Sequence, residues 1–257
     1  MKKLPMNKIN IISQSEIELL KTTKRYKIVN IDFLGKKLKI VDSASFLSSY
    51  KEIFENQILY FRAENDNPTI IDCGANIGLS VLFFKYFYPN AHIIAFEPVP
   101  EIFEVLKYNI SQFGYNNIVL HRKAIWKETT KVPFMNEGAD GGRILIEGDK
   151  DNIIKVETVQ LRNFIKKPVD FLKIDIEGAE TEVIQNISNQ LKHVKNIFIE
   201  YHSFSHKKQT VDLILHYLID AGFRIHIHPQ NISKCPFIRR NTHLGMDLQL
   251  NIFGIRT

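Results

Sequence analysis

A chain of 257 residues that is 44% hydrophobic and 24% charged can bury a large core, which excludes a disordered protein. Its formal net charge of +6 comes from scattered basic pairs such as Lys36-Lys37, Lys166-Lys167 and Arg239-Arg240, and no dense basic stripe with interleaved aromatics marks a nucleic-acid partner. Cys73 and Cys235 fit no disulfide or metal spacing, no apolar N-terminal stretch serves as a signal peptide, and the most apolar window, Ile77 to Tyr88, is too short to span a bilayer, so no transmembrane segment and a reduced, cytoplasmic setting are expected.

From Tyr26 to Val41 the chain alternates as strands do. Val29, Ile31 and Phe33 share one face, Leu38 and Ile40 answer them, and Gly35-Lys36 is read as the tight turn. Phe46, Leu47, Tyr50, Phe54 and Ile58 recur near helical spacing and predict a helix within Ser45 to Leu59. Residues 1–62 are therefore read as a hairpin-and-helix cap, and residues 63–257 as the domain that carries the chemistry. From Thr69 onward short, isoleucine-rich strands alternate with helical segments. Strands are predicted at Thr69–Asp72, His92–Glu97, Ile118–Arg122, Phe171–Asp175 and Ile197–Tyr201. Helices are predicted at Ile77–Tyr88, Glu101–Phe113, Ala179–Ile187 and Thr210–Ala221. This alternation predicts an α/β fold with a doubly wound, mostly parallel, Rossmann-like sheet. Two late strands, Phe223–His228 and Met246–Phe253, have no helix between them and are expected to pair as an antiparallel edge.

Three motifs fall at predicted strand ends. In Ile70-Ile71-Asp72-Cys73-Gly74-Ala75-Asn76-Ile77-Gly78 an apolar strand ends in an acid, a glycine turn follows and a helix begins. Glycine lets the backbone approach a ligand closely, and a helix start offers unpaired N–H groups. A dinucleotide fingerprint wants glycine where Asn76 stands, because a pyrophosphate must come near there. Asn76, with Asp72 just ahead of the turn, points away from NAD and suits the zwitterionic tail of a sulfonium. The second motif, His92-Ile93-Ile94-Ala95-Phe96-Glu97-Pro98, ends in an acid about 20 residues farther on, where a carboxylate can accept hydrogen bonds from both ribose hydroxyls. Pro98 stops that strand by withholding an N–H.

The third motif is Lys173-Ile174-Asp175-Ile176-Glu177-Gly178-Ala179-Glu180, on a strand expected to neighbour the first. Its crowded carboxylates cost folding energy unless they are solvated or meet a cation, and Glu177 could instead stabilise a helix N-terminus. His202 lies on the same predicted rim and can take a proton near neutral pH. Asp175, Glu177 and His202 are thus the candidate bases, with Glu180 in a supporting place. Asp175 and Glu177 could hold a divalent ion, but the sequence offers no clear third ligand, and no metal is expected. His206, His226, His228 and His243 lack a ligand spacing, and His226 and His228 are read as surface residues on one strand face.

With these motifs in this order, the chain resembles the FkbM-type methyltransferases, class I enzymes that use S-adenosylmethionine. The resemblance spans about Thr69 to His202 and rests on Asp72 to Gly78, Phe96-Glu97-Pro98, Ala124-Ile125 and Lys173 to Glu180. It implies that Asp72, Gly74, Ala75, Asn76 and Gly78 line the cofactor, that Glu97 holds its ribose, and that Ala124 borders the adenine. It also implies O-methylation of a hydroxyl on a sugar, glycan component or secondary metabolite. Amino-group methylation of bases relies on an Asn/Asp-Pro-Pro-aromatic motif, where this chain has Asp-Ile-Glu-Gly. The competing classes are an NAD-linked oxidoreductase and a protein that binds S-adenosylmethionine without turnover. Asp140-Gly141-Gly142-Arg143 is read as a flexible loop near the site, and the N-terminal region and last third carry no signal for the acceptor.

Overall fold

The computed structural model describes residues 11–139, 141–145, 152–242 and 244–256; Asp140 and His243, singled out above, lie outside them. The first described element is a helix the sequence reading did not anticipate, α1 (Gln14–Thr22), capped by Ser13, whose hydroxyl accepts the Glu16 N–H at 3.2 Å. An antiparallel hairpin follows, β1 (Val29–Phe33) and β2 (Lys36–Ile40). Its turn is Leu34-Gly35, one residue earlier than predicted: Phe33 already pairs with Lys36, and Leu34 and Gly35 take φ of 51° and 72°, as a two-residue turn of this hand requires. Helix α2 (Ser43–Tyr50) is capped by Asp42 and runs on into a π-helical turn, Lys51–Glu55. Ile31, Phe33, Leu38 and Ile40 are buried as the alternation predicted, against Phe46, Tyr50 and Phe54. Phe54 in turn meets Phe83 edge-on at 5.4 Å, which joins the cap to the main core.

The rest of the chain runs β3 (Thr69–Cys73), α3 (Leu79–Phe87), β4 (His92–Phe96), α4 (Pro100–Ser111), β5 (Ile118–His121), β6 (Ala124–Ile125), β7 (Lys131–Met135), β8 (Arg143–Ile144), β9 (Ile153–Val159), β10 (Val169–Ile174), α5 (Glu180–Asn186), β11 (Val194–Phe204), α6 (Val211–Asp220), β12 (Arg224–Pro229) and β13 (Met246–Ile255). The main sheet has seven strands in the order β12-β13-β11-β10-β3-β4-β5. All are parallel except β13, which runs antiparallel to both its neighbours. The two late strands do pair antiparallel; the reversed one sits one place in, and β12 forms the edge.

Successive side chains of a strand point to opposite faces, so a strand covered on both sides is apolar throughout. β10 is buried at every position, with Phe171 in one apolar cluster and Leu172 in the other. The cap, α3 and α4 cover the first face, while α5 and α6 cover the second. Lys85, which interrupts the apolar run of α3, is buried and donates to the carbonyls of Ala91 and Pro89, closing the turn into β4.

The chain leaves β3 toward β4 and β5, then returns on the other side with β10. That reversal opens a crevice at the carboxyl ends of β3, β4 and β10, where ligands of open α/β sheets bind. Between β5 and β10 the chain builds a second, four-stranded sheet, β6-β9-β7-β8, absent from the sequence reading. No helix among the described residues is long and apolar enough to cross a membrane.

Candidate functional site

A cavity of about 410 Å³ opens in that crevice, within the usual range for ligand pockets. The turn after β3 forms its floor. Gly74, Ala75 and Asn76 all line it, and the N–H groups of Gly74 and Ala75 both donate to the Phe96 carbonyl, tying the turn to β4. Gly74 sits at φ 86°, and a Cβ there would lie 1.8 Å from the carbonyl oxygen of Asp175. Gly78, at φ 98°, caps α3 and faces Leu106 of α4, 2.8 Å from where its Cβ would be, so its absent side chain serves helix packing. Asn76 is left-handed too, and its amide Nδ2 donates to the Ala139 carbonyl at 2.9 Å. The residue that breaks the dinucleotide pattern therefore latches a loop of the second sheet across the cavity. Gly138, Ala139, Gly141 and Gly142 of that loop line the cavity, so the segment expected near the site is there.

Asp72 does not join the lining. Its side chain has no accessible surface; Oδ2 accepts from the Ser80 hydroxyl at 2.5 Å, and Oδ1 lies 3.4 Å from Lys173 Nζ. The expectation that Asp72 touches a ligand is corrected: it works beneath the turn. Lys173 ties the ends of β3 and β10 together by donating to the Gly74 carbonyl at 2.8 Å and to Asp175 Oδ2 at 3.0 Å. Burial by itself would lower Lys173, but Asp175 and Asp72 outweigh it and hold the ammonium above its ordinary value.

Glu97 lies at the tip of β4, buried and facing the cavity. Its Oε2 accepts the Asn76 N–H at 3.1 Å and its Oε1 accepts the Val99 N–H at 2.9 Å. Burial pushes the carboxyl up to about 7, against the pull of those two donors. A carboxylate has about four lone-pair sites, so capacity remains for a ligand's hydroxyls. Ala124, on β6, lines the cavity, as do Phe96 and Ile125.

Asp175 and Glu177 also line the cavity, where with Glu200 and Glu52 they make an acidic lobe. Glu177 is left-handed, at φ 55°, and burial pushes its carboxyl well above the ordinary range, against the pull of His202. His202 is different. Its side chain is sealed off: Nδ1 donates to Glu180 Oε1 at 3.0 Å, while Nε2 lies 3.5 Å from Glu177 Oε2 and 3.6 Å from Glu200 Oε1. Burial alone would lower it, yet Glu177 and Glu180 outweigh that and raise it well above its ordinary value. Gln249 Nε2 also lies 3.3 Å from His202 Nε2, and the ring, fully buried, does not line the cavity, which sets His202 behind Asp175 and Glu177 as a candidate base. Glu180 takes the N–H groups of Gly178 and Ile176 as well, the supporting place expected for it. Among the described residues, oxygen and nitrogen atoms of Asp175, Glu200 and His202 come within 4.8 Å of one another. His226 and His228 lie exposed on β12, their Nε2 atoms 2.8 Å apart.

Much of this acidic lobe was missed in the sequence. Glu52, Ser45, Ser48 and Ser49 line the cavity from the cap, Gln249 from β13, and Gln230 and Asn231 from the loop after β12. Gln249 donates to Glu200 Oε1 at 2.5 Å, and burial raises the Glu52 carboxyl, with Glu200 and Asp175 adding to the effect. A signal existed: Ser45, Ser48, Ser49 and Glu52 stand at i, i+3, i+4 and i+7, a small polar stripe opposite the apolar face of α2.

Comparison with known proteins agrees with this geometry. Residues 72–225 match the methyltransferase FkbM domain. Methyltransferase sdnD of Sordaria araneosa is 28% identical over 213 residues, covering 68% of this chain and 81% of the relative. Hexuronic acid methyltransferase AglP of Haloferax volcanii is 26% identical over 162 residues, covering 62% of this chain and 65% of its own. The crystal structure of methyltransferase FkbM from Methylobacillus flagellatus superposes with a TM-score of 0.50 at 17% identity, over 77% of this chain. The match spans 46% of that longer chain, so the likeness is one of fold.

Proposed function

Since the chain belongs to the FkbM methyltransferase family, we propose that it moves a methyl group from S-adenosylmethionine to a hydroxyl of a sugar or glycan component. One observation carries the reading: the turn at Gly74 and the acid at Glu97 face a single cavity and are joined by the Asn76 N–H at 3.1 Å. The cavity fits the donor chemically. Glu97 keeps lone pairs for ribose hydroxyls, the Gly74-Ala75-Asn76 turn lines the floor between it and Asp175, and Ala124 leaves room for a flat ring. The sugar acceptor is supported by the polar lining of the acidic lobe, where Glu52, Asp175, Glu200, Gln230 and Gln249 offer donors and acceptors to hydroxyls. The name of the Haloferax relative points to the same acceptor class. The cap, residues 1–62, would then supply one wall of the acceptor lobe to a transferase domain spanning 63–257.

Bound S-adenosylmethionine supplies an electrophilic methyl group on a sulfonium. The protein's part is alignment, exclusion of water and removal of the hydroxyl proton; alignment alone contributes about 7–11 kcal/mol at best. Asp175, pinned by Lys173, is suited to orienting the hydroxyl through an accepted hydrogen bond. Glu177 is suited to taking the proton, because a base is most effective when its pKa approaches the working pH and burial moves Glu177 upward.

Calorimetric titration with S-adenosylmethionine and with NAD tests the donor, and labelled donor incubated with free hexuronic acids and hexosides tests the acceptor. Binding of S-adenosylmethionine alone and label on a sugar oxygen are expected. Binding of NAD in its place would sink the proposal.

A further inference from the structure

We propose that the loop following β12, from Gln230 to Thr242, is a docking surface for an anionic lipid bilayer. Phe237 is 102% exposed, Ile238 90% and Ile232 76%. A lone exposed isoleucine is ordinary on any protein, but three large apolar side chains bared by one loop are not. The tip is held in place: the N–H groups of Ile238 and Arg239 both donate to the Cys235 carbonyl, at 3.0 and 2.8 Å, and the Asn241 N–H donates to the Ser233 hydroxyl. These bonds make a turn that thrusts Pro236, Phe237 and Ile238 outward.

Charge identifies the occupant. Lys234, Arg239 and Arg240 flank the tip, all exposed, and Gln230 to Thr242 contains no aspartate or glutamate. Among the described residues none of these cations pairs with an acid. Apolar side chains at the apex with cations at their shoulders match a bilayer interface, where rings and aliphatic chains enter the acyl boundary and cations stay with anionic headgroups. The apolar side chains sit at an apex flanked by cations, with no acid in the loop, an arrangement an anionic bilayer complements whatever the outline of the tip.

The loop also frames the cavity, since Gln230, Asn231 and, past its far end, Leu244 line it. Resting on the methyl-transfer reading, this arrangement turns the acceptor lobe toward a membrane-held glycan. The lipid contact itself requires neither donor nor turnover.

The test is co-sedimentation of the full chain with vesicles of phosphatidylcholine alone and of equal parts phosphatidylcholine and phosphatidylglycerol. The wild type is expected to pellet with the anionic vesicles only, less so as salt rises. Phe237→Ser with Ile238→Ser, and separately Arg239→Glu with Arg240→Glu, should each lower partitioning at least about tenfold, with circular dichroism and S-adenosylmethionine affinity unchanged. Wild type left in the supernatant, variants that pellet like wild type, or a wild-type dimer broken by the variants without vesicle binding would each overturn the proposal. Vesicle binding with no affinity for S-adenosylmethionine would instead count against the methyl-transfer reading alone.

Discussion

Gly74 and Asp175 stand so close that a Cβ on the first would lie 1.8 Å from the carbonyl oxygen of the second. The contact follows from the sheet: Cys73 lies opposite Ile174, and the Asp175 N–H donates to the Cys73 carbonyl at 3.1 Å. The turn under the proposed donor and the acids beside the proposed acceptor therefore move as one piece. For a displacement reaction this fixes the distance that matters.

Gly74→Ala should break that piece. The overlap is with backbone, so one loop must retreat, and φ of 86° adds strain of about 1–2 kcal/mol. S-adenosylmethionine affinity should fall by more than about tenfold, with a lower melting temperature. Gly35→Ala is the control. It has φ of 72° but nothing within 4 Å, so it should cost some stability and leave donor affinity alone.

Glu97 makes donor binding depend on pH. Ribose hydroxyls donate to a carboxylate, and Glu97 is pushed up to about 7 in the free protein. Affinity measured by calorimetry should tighten from about pH 6 to 8, close to tenfold per unit below the midpoint. Stability runs the other way. The folded protein keeps a proton that an unfolded glutamate loses near 4.5, so the ligand-free protein should lose stability as pH rises from there toward 7. Glu97→Gln should flatten both profiles and weaken binding at pH 8. A wild-type affinity independent of pH would remove Glu97 from the ribose.

The strands, the helices over them and the strand-end motifs were legible because each is local: apolar runs, a glycine turn, an acid before a proline. What could not be read was which way a strand-end acid points. Asp72 and Glu97 both end apolar runs, yet Asp72 is closed beneath the turn with Ser80 and Lys173, while Glu97 faces the cavity. The pairing that decides this joins residues about a hundred positions apart, such as Lys173 and Gly74. Glu52, Gln230 and Gln249 escaped for the same reason, since Glu52 meets Glu200 and Asp175, Gln249 meets Glu200 and Gln230 meets Glu52 only through the tertiary fold. The four-stranded second sheet does alternate, with Ile154, Val156 and Thr158 of β9 covered between exposed Ile153, Lys155 and Glu157, but Pro133 in β7 argues against a strand when read locally.

Within the acidic lobe, Glu177→Gln should lower kcat by about 10²–10⁴-fold with donor affinity unchanged, the usual worth of a positioned base. Asp175→Asn should impair turnover more than donor binding, because it disturbs the orienting bond and the Lys173 contact together. Single-turnover rates and calorimetry on the same preparations separate these effects. Equal loss of rate and donor affinity in Asp175→Asn would move that residue to cofactor support.

His202→Gln should damage the fold before it damages chemistry. His202 holds Glu180 at 3.0 Å and Glu177 at 3.5 Å, these acids raise its pKa, and removing one partner of a buried ion pair costs about 3–5 kcal/mol. Because folding raises His202 above its unfolded value near 6.5, its stabilisation is complete below that value and fades as pH climbs through the raised one. Urea denaturation should therefore show the widest gap between wild type and variant near pH 6, narrowing on the alkaline side. The variant that remains folded should keep the rising limb of its kcat profile, since Glu177 sets it. A well-folded His202→Gln protein without that limb would restore the histidine as the base and leave Glu177 as its support.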